Sequence, residues 1–361
     1  MKKPRSRLSV ALIVAATSGA VLWFMWPRAR TGLDPTTAPA TSASDSAPPR
    51  TSKTTPKLPG SGAAAPGPTS EPGSDTVFTA RWGGGLDELG HERLDEGNAA
   101  GPMSFAVDGK GRTLVLDSVN GRIVRRGVDG KAEVAIPIDL RVPQDLATAP
   151  DGSMVVLDRF SNKEVAIYDE SGQLMGSLPV EGENVPDPGE VTGVFVDGKD
   201  VYVEREHGTL VKIGDTGGLP AEPRSEIPGR PSRDGLSFLS AGIIEAGAGR
   251  VYVSSIERAT NEHRFTRELR LRTVVRAIVL LDSDKSGTIY FAAEVEEAGG
   301  QGAILLSCLE PLKGVIVGSA VLPTNTLPEE SFRDLVVLDE GGVMHALRSE
   351  EGVTYRRYDC K

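Results

Sequence analysis

From residue 76 onward, apolar residues come in short runs, each closed by an acidic residue or a glycine turn and followed by a second run. The first runs are 105–107, 146–148, 194–196, 242–244, 279–281 and 336–338. Five of them lead directly into an acid: Asp108, Asp197, Glu245, Asp282 and Asp339. The second copy reads Ala149-Pro150-Asp151 instead. The second runs are 113–116, 154–157, 201–203, 251–253, 289–291 and 343–346, rich in the β-branched and aromatic residues that suit a pleated surface. Turns such as Asp151-Gly152 and Gly198-Lys199-Asp200 offer the backbone freedom a tight hairpin needs.

Each copy therefore predicts a hairpin, and the copies recur about 46 residues apart, the period of a four-stranded propeller blade. No long amphipathic helical period interrupts them. One small sheet cannot bury both of its faces alone, whereas sheets packed radially bury them against each other. The predicted fold is all-β, a six-bladed β-propeller over 76–361.

The first copies carry a more specific likeness. Gly101-Pro102-Met103-Ser104-Phe105-Ala106-Val107-Asp108 resembles the NHL-repeat opening Gly-Pro-x-Gly-Ile-Ala-Val-Asp. Val115-Leu116-Asp117-Ser118-Val119-Asn120-Gly121-Arg122-Ile123 resembles that repeat's Val-Ala-Asp-x-x-Asn-Asn-Arg-Ile, and 156–163 repeats it. Ser104 and Asp145 stand where the repeat has glycine. The likeness is strongest over 77–180 and only periodic beyond 215. It implies a ring closed by strands from both chain ends, 77–82 joining the sheet that holds 336–358. Trimming either end should then open the ring.

Upstream the pattern changes twice. Lys2, Lys3, Arg5 and Arg7 form a basic cytoplasmic tail, 1–7, before an uncharged run, 8–26, that opens on Leu8 and closes on Trp26. As a helix the run spans roughly 28 Å, close to the hydrocarbon thickness of a bilayer. Trp23 and Trp26 lie at its far end, where indoles favour the interface, and the basic excess before the run keeps the N-terminus inside. A transmembrane signal anchor follows. Cleavage after Ser18-Gly19-Ala20, giving a secreted protein, is the alternative, but the apolar run continues past those residues. Residues 27–75 hold ten prolines among Ser, Thr, Ala and Gly, the composition of a disordered tether. The expected location is a bacterial cytoplasmic membrane, crossed once, with the propeller periplasmic.

Charge narrows the partners. The chain is −10 overall, but 1–75 is +5 and the body is −15. So acidic a body repels a phosphate backbone, which argues against nucleic acid. The two cysteines, Cys308 and Cys360, show no metal spacing. In an oxidising space they are expected to pair across adjacent blades and pin the C-terminal strand; two buried thiols are the alternative.

Candidate chemistry is sparse. Asp117 and Asp158 occupy one repeat position, where a turn-capping carboxylate is the plain expectation. His91, His207, His263 and His345 show no paired ligand spacing, so no metal or other cofactor is expected. No nucleophile elbow, P-loop or dinucleotide fingerprint is present, and no catalytic residue stands out. The fourth copy crowds Arg258, Arg264, Arg267, Arg270, Arg272 and Arg276 together. Leu269 and Leu271 alternate with Arg270 and Arg272, which predicts a cationic strand face for an acidic envelope protein or a glycan, built from Arg267, Arg270, Arg272 and Arg276; a solvated outer strand whose charges discourage edge pairing is the alternative. Segments 181–190 and 214–237 are expected as loop insertions. The expected function is a binding or scaffold module; a metal-dependent lactonase or a lyase is the alternative on the same fold.

Overall fold

A computed structural model describes residues 74–296 and 302–360. The expected tail, membrane span and nearly all of the tether lie outside these residues. Among the described residues no helix is long and apolar enough to cross a membrane. Contacts divide the chain into 1–59 and 60–361, and the fold described is that of the second unit.

That unit is a six-bladed β-propeller. Blade one holds Ser104–Val107, Thr113–Asp117, Arg122–Arg126 and Ala132–Pro137 in spatial order. Blade two holds Asp145–Thr148, Met154–Asp158, Glu164–Tyr168 and Leu174–Pro179. Blade three holds Val191–Asp197, Asp200–Arg205, Thr209–Asp215 and Glu226–Ile227. Blade four holds Arg230–Pro231, Ser237–Glu245, Arg250–Glu257 and His263–Arg270. Blade five holds Val274–Ser283, Ile289–Glu296, Gly302–Leu309 and Ile316–Pro323. Blade six combines Leu335–Val337, Val343–Ser349 and Gly352–Tyr358 with the N-terminal strand Ser74–Trp82, and Glu88–Leu89 adds a short parallel strand outside it. The ring closes as the repeat likeness implied: Phe78 pairs with Tyr355 and Ala80 with Val353 in antiparallel register.

The acids that end the first runs have two uses. Asp108 caps its own turn, accepting from the backbone N–H groups of Lys110 and Arg112. Asp284, one turn beyond Asp282, does the same for Ser286 and Thr288. Asp197, Asp282 and Asp339 instead pair with Arg258, Arg233 and Arg233 again. A short side-chain carboxylate at a turn satisfies backbone donors that the hairpin leaves open.

The fourth copy departs from expectation. The runs 242–244 and 251–253 lie in the second and third strands of blade four, not the first and second. Its innermost strand is only Arg230–Pro231, too short and too polar to show in a hydrophobic pattern. Segment 214–237, expected as a loop insertion, includes that strand and the last strand of blade three. The cationic face is also corrected. The strand ends at Arg270, and Arg272 turns with φ 59°, so the two do not share a strand face.

Apolar side chains fill five of the six interfaces between blades. Leu146 and Leu116 pack between blades one and two, Val165 and Val194 between two and three. Val253 and Phe291 pack between four and five, Leu306 and Val337 between five and six, and Phe105 and Tyr355 between six and one. Among the described residues no such cluster spans blades three and four. That seam carries Arg230 on Glu204 at 2.7 Å and Arg258 on Asp197 at 2.5 Å. Each guanidinium also lies over a ring, Phe195 at 4.7 Å and Phe238 at 5.5 Å.

Candidate functional site

The first strands of the blades line a central channel, and the short first strand of blade four leaves it wide. A cavity of about 1400 Å³ opens there. With only Arg230–Pro231 in front of it, the second strand of blade four contributes Ser240, Ala241, Gly242 and Ile243 to the wall. Beside it, on the neighbouring blade five, run Ile278, Val279 and Leu280. Ile243 is 42% exposed and Val279 38%, whereas Phe105, Leu146 and Val194 on other first strands are buried.

The end of the channel at which the first strands begin forms the mouth. Phe195 of blade three lies there between two guanidinium groups, Arg230 at 4.7 Å and Arg333 at 5.1 Å from the ring centre. Arg230 donates from Nε to Glu204 at 2.8 Å and from Nη1 to the Leu281 carbonyl at 2.8 Å. Thr192 donates its hydroxyl to the same Glu204 carboxylate. Burial opposes the Glu204 charge, but Arg230, His207 and Thr192 outweigh it and hold the carboxyl below its usual range.

Arg333 belongs to a strap, 324–334, that runs across the mouth into blade six. The strap's backbone is tied to blade one, Phe332 N–H donating to the Met103 carbonyl at 2.6 Å. Glu329 accepts from Arg93 at 2.6 Å and meets His91 at 2.7 Å. Burial again opposes the charge, and these two partners keep the Glu329 carboxyl below its usual range. Arg333 itself donates from Nη2 to Asp145 at 2.6 Å and to the Val194 carbonyl at 3.1 Å. At the other end of the channel Arg233 ties three blades together, donating to Asp282 at 2.7 Å and Asp339 at 2.9 Å. Burial disfavours its charge, but the two carboxylates outweigh that and raise its pKa.

The residues picked from sequence fall in several places. Arg267 and Arg270 are on the outermost strand of blade four, Arg272 is in the link, and Arg276 is on the first strand of blade five, at the channel. Arg267 donates to the Lys313 carbonyl at 2.7 Å, Arg270 to Glu268 at 2.9 Å, and Arg276 faces Glu294 and Glu296. Asp117 accepts from Gly90 N–H, Asn120 and Arg122; Asp158 accepts from the N–H groups of Val142, Phe160 and Ser161. Asp158 caps its own turn, whereas Asp117 bonds no backbone N–H of its turn and instead ties Gly90 to Asn120 and Arg122. The histidines do not converge: His91 stacks on Trp82, His207 meets Glu204, His263 meets Thr266, and His345 is buried in blade six. Among the described residues no group of three or more His, Cys, Asp or Glu is arranged to hold a metal ion. Cys308 and Cys360 form a disulfide with Cα atoms 6.2 Å apart.

Sequence reading did not find Phe195, Glu204, Arg230 or Arg333. One signal was visible in part: Ser104 and Asp145, the two places where the repeat's glycine is lost, bond to each other, Ser104 Oγ donating to Asp145 Oδ1 at 2.7 Å.

His345 has a pH consequence. It is fully buried, and neither ring nitrogen has a hydrogen-bond partner among the described residues. Burial pushes its pKa from 6.5 down to about 4, with Asp334 opposing and Arg348 assisting. The unfolded chain accepts a proton near pH 6.5 that the folded chain refuses. Stability present above that pH is therefore lost as pH falls towards 4, by on the order of 3 kcal/mol. Urea titrations of wild type and His345→Leu should diverge below pH 6, with the variant more stable. Parallel pH curves would rule out a buried neutral imidazole.

No described protein family matches the chain, and no curated protein matches it. Among solved structures it is similar to hydrazine synthase from Kuenenia stuttgartiensis, at 16% identity over 71% of this chain and 76% of that one, with a TM-score of 0.48. It is also similar to a streptogramin B lyase, at 12% identity over 75% and 97% of the two chains, with a TM-score of 0.41. A third is U3-55K, at 11% identity over 74% and 98%, with a TM-score of 0.44. None of these likenesses bears on activity.

Proposed function

We propose that the chain is a membrane-anchored, extracytoplasmic propeller that binds a ligand at its channel mouth. The observation that carries the binding reading is the two-residue first strand of blade four, beside which a cavity of mixed apolar and charged lining opens. Concave, mostly apolar sites with a few fixed polar groups are where proteins take small ligands or partner segments. The acidic and basic groups around this one are largely spent on each other, as suits a rigid binding wall. The Cys308–Cys360 disulfide favours an oxidising compartment, which agrees with the anchor expected at 8–26. An envelope protein or glycan would meet the outer strand of blade four at Arg270, which is exposed although Glu268 already engages it. A metal-dependent lactonase would need converging ligands, and among the described residues no group of three or more His, Cys, Asp or Glu is so arranged.

Organic extraction and mass spectrometry of the full-length protein, beside Val279→Trp, test the reading. A molecule retained by the wild type and lost from the variant is the expected result. Equal contents in both would overturn it. Carbonate washing of membranes tests the anchor in parallel, with release of the intact chain as the contrary outcome.

A further inference from the structure

We infer that the part of the cavity between blades five and six takes a primary ammonium group carried on an apolar body, with Glu294 and His345 as its acceptors. The inference rests on the binding reading above and adds the place and the chemistry of the ligand.

The place follows from the way alternate strand residues share a face. On the second strand of blade five, Tyr290 and Ala292 pack into the apolar cluster between blades five and six, so Glu294 points the same way. On the second strand of blade six, Val343 joins that cluster, and His345 is next on its face. Glu294 and His345 both line the cavity, as do Leu280, Ile304 and Leu335 of the cluster, and the strap borders this lobe with Leu327. A hydrocarbon body that displaces water from these side chains is favoured there.

The charge follows from what these two groups lack. His345 is fully buried, and neither ring nitrogen has a hydrogen-bond partner among the described residues. Burial keeps the imidazole neutral at neutral pH, and a neutral imidazole always offers one nitrogen as an acceptor. Glu294 accepts no hydrogen bond among the described residues; Arg276 stands 3.7 Å from it and 3.4 Å from Glu296. One guanidinium between two carboxylates leaves a negative charge over. Arg348, the cation on the blade six side, gives both terminal nitrogens to Asp334. The whole lining repeats the imbalance, with seven carboxylates against five guanidinium groups. An ammonium brings three donors and no acceptor, and its hydrogen bonds are charge-assisted. It can therefore serve a carboxylate and an imidazole nitrogen at once, where a hydroxyl has one proton to give and a carboxylate ligand would be repelled by Glu294.

The test uses full-length protein in a neutral maltoside detergent, with protein-free micelles as the blank, and three probes built on one ring: cyclohexylamine, cyclohexanol and cyclohexanecarboxylate. Ligand-observed NMR titrations at neutral pH read their affinities. The amine is expected to bind about tenfold more tightly than the alcohol, the scale of one charge-assisted contact, and the carboxylate most weakly. Glu294→Gln should remove the amine's advantage and leave the alcohol within about twofold. His345→Leu should weaken the amine about fivefold, the scale of one hydrogen bond. The comparison of probes on the wild type needs no variant and stands should either fail to fold. Val279→Trp, which fills the channel beside the lobe, should abolish all binding. Equal binding of amine and alcohol, tighter binding of the carboxylate, or an amine preference that survives both Glu294→Gln and His345→Leu overturns the ammonium inference and leaves the binding reading standing. Undiminished binding of every probe by Val279→Trp overturns both.

Discussion

Tyr355→Ala is expected to destabilise the propeller by about 3–5 kcal/mol, the range for deleting a fully buried aromatic side chain. Tyr355 is 1% exposed in the third strand of blade six. Its ring stacks on Phe78 at 4.4 Å and meets Phe105 edge-on at 5.2 Å. One side chain thus joins the C-terminal strand, the N-terminal strand and blade one. Aromatic pairs of this geometry add about 0.5–1.5 kcal/mol beyond the area they bury. Tyr355→Phe keeps the ring and should cost far less. Equilibrium denaturation of the two variants beside the wild type measures the difference. A cost for Tyr355→Ala below about 1 kcal/mol would mean that the chain ends are not what closes the ring.

Removing the disulfide has a comparable expected effect through a different route. Cys308 and Cys360 are 52 positions apart in sequence. Chain-entropy reasoning for a loop of that length gives about 4 kcal/mol, lost when the unfolded chain is freed. Cys308 lies in the third strand of blade five, and Cys360 follows the third strand of blade six, so the bond fastens the C-terminus to the neighbouring blade. Cys308→Ala/Cys360→Ala should unfold at lower denaturant than the oxidised wild type, and the gap should shrink once the wild type is reduced. Identical curves in oxidising and reducing buffer would show that the clasp contributes nothing to stability.

The strands were legible because alternation and turn residues are local properties. Both hairpin runs of every copy are strands in the ring. The reading slipped in blade four, where Arg230 and Pro231 form a strand with no apolar signal. A pattern that looks for buried residues necessarily starts such a blade one strand late. The cationic face failed for a related reason: Leu271 continues the alternation, but the backbone turns at Arg272. The mouth was harder still. Asp145 and Arg333 are 188 residues apart and meet only after the ring has closed. Ser104 and Asp145 broke the repeat at matching positions, which marked them as unusual without showing that they bond to each other.

The seam between blades three and four gives the ring one joint of a different kind from the other five. Apolar joints hold through water's reluctance to solvate hydrocarbon and are strengthened by excluded salts such as sulfate, not screened by them. The Arg258–Asp197 contact is partly open to solvent, so electrolyte screens it, while Arg230 and Glu204 are better shielded. A disk fastened this way has a defined place to part: it would spread into a crescent along that line before any blade unravelled, widening the very cavity that borders it.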